Sequence, residues 1–436
     1  MPEAMNRRRP SSWAAALTVA GVVASAGVAG VLVATAAQAA EVYPRPTDGR
    51  LTFVGRGFGH GIGMSQFGAE GMGRSGKTYQ QILAFYYPGT RFASTPMTTG
   101  IRVHLSAAPT QIHGRAAVTV AAANTTFAHV ARQPFAALPR RAGGARVTAY
   151  RVVRSDQGLA LVAISARAHR VVVPAQPKAI VLGTAAPAPA GSTSAATPTP
   201  DASRVTVRNG GADRDYHGYL RVQPYGSGVA AVNVVRLQQY LYGVVGAEVP
   251  DGWTRAAYRA QAVAARSYAL LLRQIARHTG APWDICDTTC QSYGGVAWES
   301  ASQNAAVDAT AGQYLSYHGD PVLAMFSSAD GGYTVAGSHP YLVARPDPYD
   351  GIVTGAANWG HAWDTTVTAG TIEADWPQIG RLKAVVVAAR DGLGRWGGRV
   401  TALRLRGTAG SVVVSPDTFR WTLGLKSTWW RIAATS

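Results

Sequence analysis

The chain has 436 residues, room for two or three domains with cores of their own. Hydrophobic residues make up 47% and charged residues 15%, which excludes a disordered tail, and the apolar residues are spread too evenly for a polytopic membrane protein. The formal charge of +18 is almost all arginine, with lysine only at 77, 178, 383 and 426; it suits a polyanionic surrounding, but no helix-turn-helix, zinc-finger, RNP or basic-zipper pattern accompanies it, so nucleic acid is not an expected partner.

Arg7, Arg8 and Arg9 precede an apolar run from Trp13 to Ala36, and Ala37-Gln38-Ala39 offers small residues to a signal peptidase. Residues 1–39 therefore read as a signal peptide, with an uncleaved N-terminal membrane anchor as the alternative, and both place the folded part outside the cytoplasmic membrane, secreted or associated with the cell wall. Residues 41–100 hold a glycine-rich block, Gly55 to Gly68, followed by Tyr79 to Tyr87, whose apolar spacing predicts a helix that Pro88 stops. From 101 to 184 short β-branched runs (Ala117 to Ala122, Arg146 to Val153, Leu159 to Ile164, Arg170 to Val173) predict a small β module. Residues 185–203, rich in Ala, Pro, Ser and Thr, cannot bury a core and read as a linker.

The remainder, 204–436, opens with strand-like Tyr219 to Val222 and Ala230 to Val235. After Tyr240 to Pro250 comes the longest predicted helix, with Thr254 as its cap. Ala257, Ala260, Ala264, Tyr268, Leu271 and Ile275 share one side of it, while Arg255, Arg259, Arg266, Arg273 and Arg277 form an opposite stripe that reads as solvated. A second helix is predicted over Ser302 to Thr310, strands over Tyr314 to Tyr317 and Val322 to Phe326, a polar turn over Ser327 to Gly332, and strands from Ala384 onward, with Phe419 to Trp430 closing the chain. The fold class is α+β, rich in strand.

Two features carry chemistry. Glu248 lies among apolar residues, where burial disfavours the charged form and raises a carboxyl toward the range of a general acid; helix capping is its alternative role, though Asp251 and Thr254 stand closer to the helix start. Around His60, glycines at 57, 59, 61 and 63 let the backbone approach a ligand closely, and equally suit an irregular strand. The two cysteines, Cys286 and Cys290, are read as a local disulfide, the alternative being a zinc site with His278; no cofactor is otherwise expected. The chain has no Gly-x-Ser-x-Gly, His-Glu-x-x-His or phosphate-binding loop, so serine esterase, zincin and NTPase chemistry lack support.

Val232 to Pro250, with Glu248 near its end, and Tyr258 to Ala269 resemble the core of the SpoIID/LytB family, the stage II sporulation protein D-like peptidoglycan enzymes. Cys290 to Gly295, Asn304 to Thr310, Phe326 to Thr334 and Asp347 to Asp350 follow in that family's order, so the resemblance covers about Arg204 to Trp363. The block Gly59 to Gln66, with Tyr86 to Thr90, is also similar to the family, although there it commonly follows the core; its place before the core is an actinobacterial arrangement. The resemblance implies a lytic transglycosylase acting on peptide-free glycan strands, with Glu248 as the catalytic acid and 1,6-anhydro-MurNAc ends as product. It implies that Gln261 and Arg266 orient the acid or the substrate. Ser327, Ser328 and Thr334 are read as hydrogen-bonding sugar hydroxyls, and His60, Ser65 and Gln66 as backing the groove from the N-terminal block. The second reading is a non-catalytic wall-binding protein or amidase modulator, with a cell-wall amidase as partner.

Overall fold

The computed structural model describes residues 40–130, 136–184, 203–209 and 212–433. The signal segment 1–39, and all of the 185–203 linker but Ser203, lie outside them. Among the described residues no helix is long and apolar enough to cross a membrane.

Strands dominate, and helices punctuate them, so the fold is β-rich α+β. The helices are α1 (Gln66–Arg74), α2 (Tyr79–Tyr86), α3 (Leu237–Glu248), α4 (Arg255–Thr279), α5 (Ala301–Ala309), α6 (Ala369–Asp375) and α7 (Pro416–Leu423). One large sheet runs His169–Gln176, Gly158–Ser165, Ala145–Ser155, Arg115–Ala121, Arg204–Asn209, Ala212–His217. A second runs Ile285–Cys286, Gly100–His104, Gly228–Arg236, Tyr219–Tyr225, Ile180–Gly183, Phe127–Val130, Ala136–Ala137. Residues of alternating period on these strands, such as Leu159, Leu161 and Ala163 from one and Leu182, Leu220 and Val222 from the other, enter one shared core.

This pairing corrects the division at residues 101–184. Arg115–Ala121 lies between Ala145–Ser155 and Arg204–Asn209, and Ile180–Gly183 between Phe127–Val130 and Tyr219–Tyr225, so the stretch shares both sheets with residues 204–236 and is not a module of its own. Strand signals are local, whereas the choice of partner strand is made by whichever apolar faces close the core. The N-terminal block is woven in likewise. Arg50–Arg56 is the middle strand between Ala362–Thr368 and Trp430–Ile432, and Glu41–Pro44 edges a sheet with Leu382–Arg390. Phe53, Phe419 and Trp430 form the aromatic centre of that second core, with ring centroids 5.0–5.8 Å apart.

The helix α4 begins where Thr254 predicts, its hydroxyl accepting the Ala257 N–H, and ends at Gly280 in the left-handed conformation. It is buried on more than one side: Tyr258, Ala262 and Ala265 enter the first core, and Ala257, Ala260 and Val263 a third core shared with α1 and α2. Arg266 of the expected solvated stripe is therefore 1% exposed, while Ile275, placed on the apolar side, is 49% exposed, its neighbour Ala276 being the buried residue of that turn. Two further features stand out. Tyr240 to Glu248 belongs to a helix, α3, whose Tyr240, Leu241, Val244 and Val245 share one buried face; and Phe419 to Trp430 contains the end of α7 as well as the start of a strand.

Candidate functional site

Glu248 is the last residue of α3. One carboxylate oxygen accepts the Ser292 N–H at 2.7 Å and the other the Gln66 Nε2 at 3.3 Å. Burial raises its pKa above the ordinary value, and these donors only partly offset the rise. Both donors are neutral groups.

Three segments hold this arrangement. Glycines at 243 and 246 let the 291–299 loop lie against α3: a Cβ at Gly246 would stand 1.7 Å from the Trp298 carbonyl oxygen. Tyr240 Oη donates to the Gln291 side chain and Gln291 to the Ala265 carbonyl, so the loop is tied to α3 and α4 one residue before Ser292. Upstream of the loop Cys286 and Cys290 are bonded to each other, and Ile285–Cys286 pairs with Gly100–His104. Both sulfurs are so engaged, and His278 is exposed in the last turn of α4.

Gln66 arrives at the start of α1. Ser65 caps that helix, accepting the Gly68 N–H, and donates its hydroxyl to Asp350 at 2.6 Å. Asp350 also receives Nδ1–H of His361, whose Nε2 accepts from Arg56, and the Asp330 and Gly331 N–H groups. Beside it Tyr86 donates to Asp347. Burial, then the Asp347 and Asp350 charges, push the Asp330 carboxyl well above its ordinary value, and burial raises Asp347 as well. The result is a buried carboxylate network under the N-terminus of α1. Glu70, a buried glutamate of α1, is engaged with Arg74, the Thr254 hydroxyl and the Thr254 N–H, and so pins α1 to the start of α4.

The residues singled out from sequence divide. Gln66 reaches Glu248, but His60 faces the C-terminal part: burial and the Arg399 and Arg420 charges lower its pKa to about 4, and its Nδ1 accepts the Ile62 N–H. Ser65 is buried and spent as a cap. Ser327 accepts the Gly61 N–H, and Thr334 bonds to Val343 and Arg345 main chain, so both stitch loops together instead of facing a groove. Ser328 accepts the Phe67 N–H through its carbonyl and keeps its half-buried side chain outside these bonds. Arg266 binds the Gln313 and Val307 carbonyls and the Gln238 side chain, joining α4 to α3, α5 and the strand Gln313–Tyr317, and burial lowers its pKa to about 10. Gln261 is 1% exposed with neither amide atom hydrogen-bonded. Its neighbours on that side of α4 are Tyr258, which donates to the Pro250 carbonyl, and Ala265, which accepts from Gln291, so it stands between the two segments that flank Glu248. Ser292, Asp330, Asp350 and His361 carry roles that sequence reasoning did not assign; the first sits in the quoted Cys-Gln-Ser-Tyr-Gly-Gly block, and the aspartates in the turn motifs.

Fold and site together define a domain that presents one protonatable carboxyl at a helix end, clamped by a loop amide from one side and a glycine-rich block from the other. The profile of the stage II sporulation protein family, SpoIID, matches residues 225–317, so the chain contains a SpoIID-family domain. An amidase enhancer of Bacillus subtilis is 39% identical over 117 residues, 25% of this chain and 15% of that protein. An uncharacterised protein of Brachyspira hyodysenteriae is 33% identical over 133 residues, 30% of this chain and 36% of its own length. Stage II sporulation protein D of Bacillus subtilis is 51% identical over 43 residues, 10% of this chain and 12% of that protein. The chain thus spans well under two thirds of each of these relatives.

Proposed function

We propose that the protein is an exported enzyme of cell-wall turnover, a lytic transglycosylase that cleaves MurNAc–GlcNAc linkages in peptide-free glycan strands, with Glu248 as the acid. The family match and the amidase-enhancer relative support a role at the cell wall. The observation that carries the finer reading is the carboxyl of Glu248, half-buried at the end of α3, raised by burial and held at both oxygens by neutral donors. Such a group donates its proton to the glycosidic oxygen as the C1–O bond breaks. As a carboxylate it then accepts the C6 hydroxyl proton while that oxygen bonds to C1, closing the 1,6-anhydro ring without water. A two-carboxylate hydrolase needs a partner acid across the bond, at about 5–9.5 Å. Gln66 and Ser292 orient the acid.

The test is mass spectrometry of fragments released from peptide-free glycan. Products with anhydro-muramyl ends, absent with Glu248→Gln, support the reading; hydrated reducing ends, or undiminished cleavage by the variant, overturn it. The amidase-enhancer relative favours a second reading, a modulator of an amidase, which is supported if the parent and Glu248→Gln raise amidase turnover equally and neither cuts glycan.

A further inference from the structure

The aromatic residues near the site are arranged in sequence. Trp253, five residues beyond Glu248, meets Phe67, the residue after Gln66, with ring centroids 5.0 Å apart. Phe67 packs with Ala329 and Val353, and Phe58 lies against the same cluster. Phe58 meets Trp359 at 4.8 Å. Trp359 is 48% exposed, and the Lys426 ammonium lies 4.7 Å from its ring centroid while donating to its carbonyl at 2.8 Å. Main-chain bonds bring Lys426 there: its carbonyl accepts the Gly59 N–H, and the Ser427 hydroxyl donates to the Arg56 carbonyl. These rings pack through the interior, where Phe67, Ala329 and Val353 are buried, and reach the surface at Trp359, beside a cation supplied by the C-terminal part.

We propose that Phe58, Trp359 and Lys426 form a surface subsite that binds a glycan strand whose alternate sugars carry a carboxylate; this rests on the glycan reading above. A pyranose ring presents a face of C–H bonds, apolar and slightly positive, which complements the negative face of an indole. Once the stem peptides are gone, each MurNAc ends its lactyl ether in a free carboxylate, which an ammonium beside the ring recognises by a charge-assisted bond. Trp359 thus reads the sugar face, and Lys426 separates a muramyl strand from a neutral glucosamine polymer.

The test is calorimetric titration of the full chain carrying Glu248→Gln, so that no turnover intervenes, with peptide-free muramyl strands and with chito-oligosaccharides of equal length. Adding Trp359→Ala should weaken both ligands about 5–10-fold, and Trp359→Tyr, which keeps a ring, should retain most of the affinity. Lys426→Gln should weaken only the muramyl strand, about 3–5-fold, with the difference shrinking at high salt. Trp421→Ala removes a still barer indole, 71% exposed, on α7 and should change neither. No loss with Trp359→Ala, an equal loss with Trp421→Ala, or no binding of either glycan overturns the subsite. Equal losses for both glycans with Lys426→Gln overturn the carboxylate recognition. Cleavage that survives Glu248→Gln defeats the catalytic reading yet leaves this binding result standing, so the two failures are told apart.

Discussion

Glu248 owes its raised pKa to its position at the end of α3, where burial works against the charged form while two neutral donors keep it oriented. Glu248→Gln removes the proton and nearly keeps the shape, so glycan cleavage should fall by about 10²–10⁴-fold, read as anhydro-end production. The same substitution bears on stability. A carboxyl whose folded pKa is raised costs stability above that value, and the cost disappears below the unfolded value, where both states are protonated. The variant should therefore melt higher than the parent at pH 7 and match it below about pH 4. His60 has the opposite sign of problem: its pKa is depressed to about 4, so the unfolded chain takes up a proton first as pH falls from 6.5. His60→Gln should reduce the loss of melting temperature between pH 6.5 and 4; an unchanged acid profile would show that His60 is not neutral in the folded state.

At the scale of elements, α4 is held by a cation that the sequence places on a solvated stripe. Arg266→Met leaves the Gln313 and Val307 carbonyls and the Gln238 side chain without their donor, and urea unfolding should report a loss of about 2–4 kcal/mol. The glycine-rich block responds to a backbone constraint. Gly63 has φ +73°, and a Cβ there would stand 2.0 Å from the Met325 carbonyl oxygen, where Met64–Ser65 pairs with Phe326–Ser327. Gly63→Ala should cost about 1–3 kcal/mol from conformation alone and more from the clash, measured by denaturation. Because this pairing sets Ser65 and hence Gln66, the same variant should also shift the pH dependence of cleavage.

Over the whole molecule, the block before the expected core and the segments after it complete one another's sheets. Residues 204–433 without 41–184 lack the middle strand Arg50–Arg56, the strand Gly100–His104 beside Gly228–Arg236, and every partner of Arg204–Asn209 except Ala212–His217. That segment should show no cooperative thermal transition by circular dichroism; a sharp two-state melt would contradict the shared core.

Much of the local structure was legible in the sequence. The helix from Thr254, the helix at Tyr79 and the strands at 145–165 follow from caps and periodicity, and Glu248 was conspicuous as an acid in apolar company. These signals are short-range, and each residue carries its own. Partner choice is long-range, which is why an apparent β module dissolved into two sheets, why Arg266 and Thr334 proved to be internal ties, and why one end of the glycine-rich block reaches the acid while His60 turns toward Arg399. The sequence by itself determined which residue types are available for proton transfer and where helices and strands begin. Only the tertiary structure decided which of them meet, because a side chain's neighbours, and so its pKa and its remaining hydrogen-bonding capacity, are set by the packing of segments hundreds of residues apart.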